Sequence, residues 1–252
     1  MMARIRPMTR TLAALAAAFL AFAAAPAAQA QAYPNKAVKI LVGFAPGGAM
    51  DIVARTVGQK MAPSLGQAVV IENMPGAASN IAIRQLIESP PDGYTVMLVA
   101  NGLTANPLLY TQQPFDPSAD VTPISLVARL PVVIAANPKS EVATLAKLVE
   151  ISKAKPDSLN YGSPGNGSTP HLAVELFARG AGIQLTHIPY KGGKPAIADV
   201  LGGQLPLVAV NAVEVQPLWK DGKLKVLAAL SAQRVATMPD VPWSCERVST
   251  LP

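Results

Sequence analysis

The run Val38-Lys-Ile-Leu-Val-Gly-Phe-Ala-Pro-Gly-Gly-Ala-Met-Asp-Ile-Val-Ala-Arg55 decides the fold. Branched apolar residues over 38–45 predict a short buried strand. Pro46-Gly47-Gly48 predicts a turn, and from Asp51 to Met61 the apolar positions 52, 53, 57 and 61 recur at helical spacing. Outward from this run the alternation continues. Residues 68–72 read as a strand, 80–88 as a short helix opening near Ser79-Asn80, and 94–100 as a third strand after the turn Pro90-Pro91-Asp92-Gly93. The connections of this β-α-β-α-β series are too long for hairpins, so they predict a parallel sheet in an α/β fold.

A second α/β series follows. Residues 125–136 hold two strand-like stretches broken by Pro131, and 144–154 are patterned as a helix. A short strand at 159–161 leads into a glycine-rich loop. Helices are predicted over 168–179, 195–201 and 213–220, and strands over 185–188, 207–211 and 225–230. The expected organisation is two lobes: 33–131 as lobe 1, 132–232 as lobe 2, and a second crossing near 232 that returns 233–252 to lobe 1.

Composition narrows the function. Half of the 252 residues are apolar and 14% are charged, which excludes a wholly disordered chain. The net charge of +6 is concentrated at the start, where Arg4, Arg6 and Arg10 precede any acidic residue. The remaining lysines are scattered without a basic run or aromatic interleaving, which argues against a nucleic-acid partner. The three arginines, the uncharged run Thr11–Ala25 and the overlapping Ala28-Gln29-Ala30 and Ala30-Gln31-Ala32 patterns have the anatomy of a secretory signal peptide over 1–32. Removal there predicts a soluble, exported protein. The alternative is a membrane anchor, since the apolar run approaches the ~20 residues a span needs. The lone Cys245 excludes an internal disulfide and a cysteine metal cluster.

Two loops carry the chemistry. Phe44-Ala45-Pro46-Gly47-Gly48-Ala49-Met50-Asp51 and Tyr161-Gly162-Ser163-Pro164-Gly165-Asn166-Gly167-Ser168-Thr169-Pro170-His171 each run from strand through a Gly/Pro turn into a helix. A helix start leaves backbone N–H groups unpaired and carries partial positive charge, so it attracts an anion. Glycines allow close approach to that backbone. Two readings stand. Asp51, Ser168 or Thr169 caps its own helix, or the loops grip a small anion in a cleft outside the strand ends. Two such loops, one per lobe, favour the cleft. The candidate ligand-binding set is Phe44, Pro46, Gly47, Gly48, Asp51, Asn101, Ser163, Gly165, Asn166, Ser168, Thr169 and His171. No nucleophile elbow, P-loop or dinucleotide fingerprint is present. No catalytic residue, metal site or cofactor is therefore expected. His171 reads as ligand contact or cap, His187 as core or interlobe residue. Tyr190-Lys191-Gly192-Gly193 reads as cleft lining or plain turn.

The motifs, taken together, resemble the Bug/TctC family of periplasmic solute-binding receptors of tripartite tricarboxylate transporters. The resemblance runs in order through Tyr33-Pro34, Phe44–Asp51 with Ala54-Arg55, Glu72-Asn-Met-Pro-Gly-Ala77, Pro91-Asp-Gly-Tyr-Thr95, Tyr161–Ser168 with Pro170-His-Leu172, Ile188-Pro-Tyr-Lys-Gly192 and Met238-Pro-Asp-Val-Pro242. It implies a two-lobed Venus-flytrap fold binding a small organic carboxylate between the lobes, partly through water, by the two loops above. It implies membrane permease subunits as partners, and we expect a monomer. Three departures stand out. Met50 replaces a usual Thr, Pro206 and Val210 replace common acidic residues, and Trp243–Pro252 leaves the family pattern. The last implies a truncated chain that lacks the C-terminal part of lobe 1. The competing functions are a ligand-sensing module for a signalling partner, a non-functional truncated product and, least favoured, an exported hydrolase.

Overall fold

The computed structural model describes residues 32–109 and 115–243. The expected signal peptide through Gln31, Cys245 and the tail from 244 onward lie outside the described residues. The strand predicted at 38–45 is β1 (Val38–Val42), followed by α1 (Ala49–Leu65), β2 (Val69–Asn73), α2 (Asn80–Ile87), β3 (Thr95–Leu98) and α3 (Gly102–Leu109). The sheet is parallel, in the order β2-β1-β3, with Val38 opposite Val69 and Lys39 opposite Thr95. Helix α1 runs one turn beyond its predicted end and stops at Gly66, whose φ of 64° is the left-handed conformation that ends many helices. The first core is small: Ile40, Val42 and Ala54, with Phe44, Val69, Ile71, Val96 and Leu98 packed around them.

The second sheet comprises β4 (Val132–Ala136), β5 (Asn160–Ser163), β6 (Thr186–Pro189), β7 (Leu207–Asn211) and β8 (Lys225–Leu230). Helices α4 (Leu145–Ala154), α5 (Thr169–Ala181), α6 (Gly193–Leu201) and α7 (Ala212–Lys220) flank it. Its order is β6-β5-β7-β4-β8. Strand β5 is parallel to β6 and β7, whereas β4 is antiparallel to both β7 and β8. Strand β4 is fully buried, and successive side chains of a strand point to opposite faces. Val133 and Ala135 therefore join Ile197, Val200 and Val215 on one face. Ile134 and Ala136 join Leu148, Val174 and Phe177 on the other. An uninterrupted apolar run suits a strand covered on both sides.

Two expectations meet a different arrangement. The stretch before Pro131 forms no strand; residues 122–129 are exposed, with Ile124 and Leu126 at 81% and 70%. Residues after 232, expected to return to lobe 1, pack on the second sheet up to Trp243. Val235, Met238 and Val241 are buried in the core that contains Val133, and the Ala229 N–H donates to the Pro242 carbonyl at 2.8 Å beside a parallel bridge between Ala229 and Trp243. Their three-residue spacing puts all three apolar groups against the same surface. Both tryptophans, Trp219 and Trp243, pack against this core.

Candidate ligand-binding site

Loop 43–51 is shaped by close approaches and by one carboxylate. Gly43 has no room for a side chain, since a Cβ there would lie 2.3 Å from the Ser79 Cβ and 2.8 Å from its Cα. Gly47 adopts φ 76°, open to glycine at little cost. Helix α1 begins after Gly48 without a side-chain cap of its own. Asp51, in its first turn, reaches back instead: its Oδ2 accepts the Gly47 N–H and the Arg55 Nε–H, both at 2.9 Å. Burial alone would raise its pKa, but hydrogen bonds from Arg55, Gly47 and Asn73 outweigh burial and hold the carboxyl below its usual range. The Asn73 amide also donates to the Phe44 carbonyl at 3.1 Å. Pro46 is exposed, and Phe44 is half-buried against the first core.

Loop 163–171 is organised differently. The Ser163 side chain is wholly buried, its Oγ 2.7 Å from His187 Nε2 and accepting the Gly165 N–H at 3.1 Å. The His187 ring stacks on that of His171 with centroids 4.0 Å apart. His171 Nδ1 accepts the Gly167 N–H at 3.1 Å, and Ser168 Oγ caps α5 by accepting the His171 N–H. Burial, with His171 as a like-charged neighbour, pushes His187 down to about 4. Burial also lowers His171, with Glu175 opposing. Both rings are therefore neutral near pH 7. Gly165 and Gly167 hold φ of 136° and 73°. Asn166 is exposed.

Each loop is held by the other half of the fold. The Ala45 N–H donates to the Lys191 carbonyl at 3.1 Å, so Tyr190–Gly193 faces loop 43–51. Thr169 Oγ1 donates to Asn101 Oδ1 at 2.6 Å, and Asn101 Nδ2 donates to the Gly167 carbonyl at 3.3 Å. Asn101, Gly167 and Thr169 thus come together directly, as do Gly47, Gly48 and Asp51. Ser163 and His171 turn inward to position the loop.

Sequence reasoning missed Glu214 and Asn106. Glu214 is 4% exposed; its Oε1 accepts the Asn211 N–H at 3.1 Å in a capping box at the start of α7. The spacing Asn211-x-x-Glu214 is the visible sequence signal. Its carboxylate lies between the two halves: a Cβ on Gly193 would fall 2.0 Å from Oε2, and one on Gly48 3.5 Å. Burial raises its pKa, against the Asn211 and Ala49 N–H groups and Lys194. Asn106 is fully buried, and its amide donates to the Ala78 carbonyl and Asn80 Oδ1.

Two α/β units with glycine loops clasped across their junction define a solute-binding protein. Comparison with known proteins gives the family. The profile of TctC, described as Tripartite tricarboxylate transporter family receptor, matches residues 53–250. BugT of Bordetella pertussis is 34% identical over 245 residues, covering 95% of this chain and 74% of BugT. The periplasmic binding protein BugD superposes with a TM-score of 0.80 at 35% identity, over 85% of this chain and 72% of BugD. The R. palustris protein Rpa4515, solved with adipate, gives 0.82 at 33% identity with the same coverages. The chain belongs to the TctC family of solute receptors.

Proposed function

We propose that this chain is a periplasmic receptor that captures a small organic carboxylate between two lobes and delivers it to the permease subunits of a tripartite tricarboxylate-type transporter. The observation that carries the reading is the pair of glycine-rich helix starts, each bridged to the opposite lobe. The partial positive charge of the two helix starts favours an anion there, and closure improves contact only if ligand touches both lobes. Adipate in the relative Rpa4515 supports the ligand class. Residues 1–32 direct export and are removed, lobe 1 starts at residue 33, and the receptor works as a monomer without catalysis. A ligand that binds only the folded chain raises its melting temperature. A thermal-shift screen of small carboxylates should give such a rise, and the matching neutral amides should give none. Equal binding of acid and amide in calorimetry overturns the reading.

A further inference from the structure

The side chain of Asn101 departs from what its position calls for. The Asn101 carbonyl accepts the Thr104 and Ala105 N–H groups at 3.0 and 2.8 Å, which places the residue at the N-cap of α3. An asparagine there ordinarily turns its side-chain oxygen onto the first N–H groups of its own helix. Here both ends of the amide go to the other lobe: Oδ1 accepts the Thr169 hydroxyl at 2.6 Å, and Nδ2 donates to the Gly167 carbonyl at 3.3 Å. Thr169 is the first residue of α5, whose cap is Ser168, so its hydroxyl has no capping duty. Gly167 sits close against α3, where a Cβ on it would lie 2.7 Å from Leu109 Cδ1 and 3.5 Å from Asn106 Oδ1. The starts of two helices, one from each lobe, thus meet through one side-chain amide.

Helix starts carry like partial charge and repel one another, so this junction parts unless something holds it. The other clasp, from the Ala45 N–H to the Lys191 carbonyl, joins backbone to backbone and asks little of the side chains there. The Asn101 clasp needs an amide, which alone among uncharged side chains of this size offers an acceptor to the hydroxyl and an N–H to the carbonyl at once. Resting on the two-lobe receptor reading above, we infer that Asn101 is a positioning residue, a latch that holds loop 163–171 of lobe 2 on α3 of lobe 1 and keeps the lobes shut without help from ligand. Its amide and the Thr169 hydroxyl then serve closure rather than ligand contact. The latch sets the balance between shut and open receptor, and through it the differential affinity that a solute must supply.

Spin labels at positions 108 and 176 read the separation of α3 and α5. Leu108 and Leu176 are both exposed, at 88% and 74%. Leu108→Cys and Leu176→Cys are made in the full chain with Cys245→Ser, so that no other thiol takes label. Without added solute the distance distribution should be dominated by one short population. Asn101→Ala should raise the longer population about tenfold, the size expected for losing two hydrogen bonds. Thr169→Val should act in the same direction by less, and Thr169→Ser, which keeps the hydroxyl, should retain the short distance. Asn101→Ala combined with Thr169→Val should go no further than Asn101→Ala alone. Three results overturn the latch: a long distance dominating before any latch substitution, an unchanged distribution in both Asn101→Ala and Thr169→Val, or effects of the two substitutions that multiply. If Asn101→Ala fails to fold, the contrast between Thr169→Val and Thr169→Ser decides alone. The carboxylate thermal-shift screen reads separately. A rise in melting for a protein whose lobes stand open removes the latch and leaves the receptor, whereas no rise for a protein whose lobes are shut removes the receptor reading and leaves the latch.

Discussion

The two α/β units differ in how well their sheets are covered. The second has five strands between helices on both faces, with sixteen buried apolar residues in each of two clusters. The first has three parallel strands and a smaller core, Ile40, Val42 and Ala54, with Leu41, Ala82 and Ile83 also fully buried. Among the described residues, the exposed large apolar side chains Val70, Ile81, Leu108, Leu109, Ile124, Leu126 and Val127 lie in the first unit or the stretch leading out of it, and Leu176 and Leu201 in the second. All-parallel sheets usually have both faces covered. The lesson is that local pattern builds a correct β-α-β unit, while its stability depends on how much else packs on it.

Core truncation should break the symmetry most visibly. Leu148→Ala in the second unit should cost about 2–5 kcal/mol, because a fully buried leucine leaves a cavity. Half-buried Ile71→Ala in the first should cost clearly less. Urea unfolding of both variants checks this, and equal losses would contradict the contrast. Hydrogen exchange sharpens it further: amides of β1–β3 should exchange faster than those of β4–β8. Slower exchange in the first unit than in the second would refute the comparison.

Within the first unit one position is already tight. Gly43→Ala should cost about 1–3 kcal/mol, since its Cβ meets both side chain and backbone of Ser79. Gly48→Ala, whose Cβ meets nothing nearer than 3.4 Å, should be milder in the same melting experiment.

Acid should narrow the gap between the units. The two histidines of the chain, His171 and His187, both lie in the second. The folded state holds His187 at about 4, below its ordinary 6.5. Between those values the unfolded chain binds more protons, so stability falls as pH drops through that window and is regained above it. Melting curves from pH 7 to pH 4 should show this, and His187→Gln should flatten the dependence. The smallest effect is expected from Glu72→Gln, which removes the exposed Lys39–Glu72 pair and should change stability by less than about 1 kcal/mol.

Most elements were legible because strand and helix periods differ. Strands β1–β8 and the helices around them, α3 apart, fall within a few residues of their predicted positions. Helix α3 was not, since Gly102 opens it and Pro107 lies inside. The antiparallel setting of β4 was also hidden, because a fully apolar run such as Val-Val-Ile-Ala-Ala has no polar side to declare its neighbours. Residues 125–130 carry strand-like sequence, yet a strand requires a partner and the described fold supplies none. At the site, the glycine turns and the Ser168 cap were readable locally. The Asn101–Thr169 pairing joins residues 68 apart in sequence, and the burial of Ser163 depends on His187 from the neighbouring strand. Neither has a local signature.

The placement of Trp219 and Trp243 has a spectroscopic consequence. Both indoles pack against the core of the second unit, and the chain has no other tryptophan. Intrinsic emission excited in the indole band therefore watches one half of the molecule. Opening confined to the first unit, with β1 to β3, would leave that emission native. A probe placed at Phe44, which packs on the first core, would give that half its own optical signal.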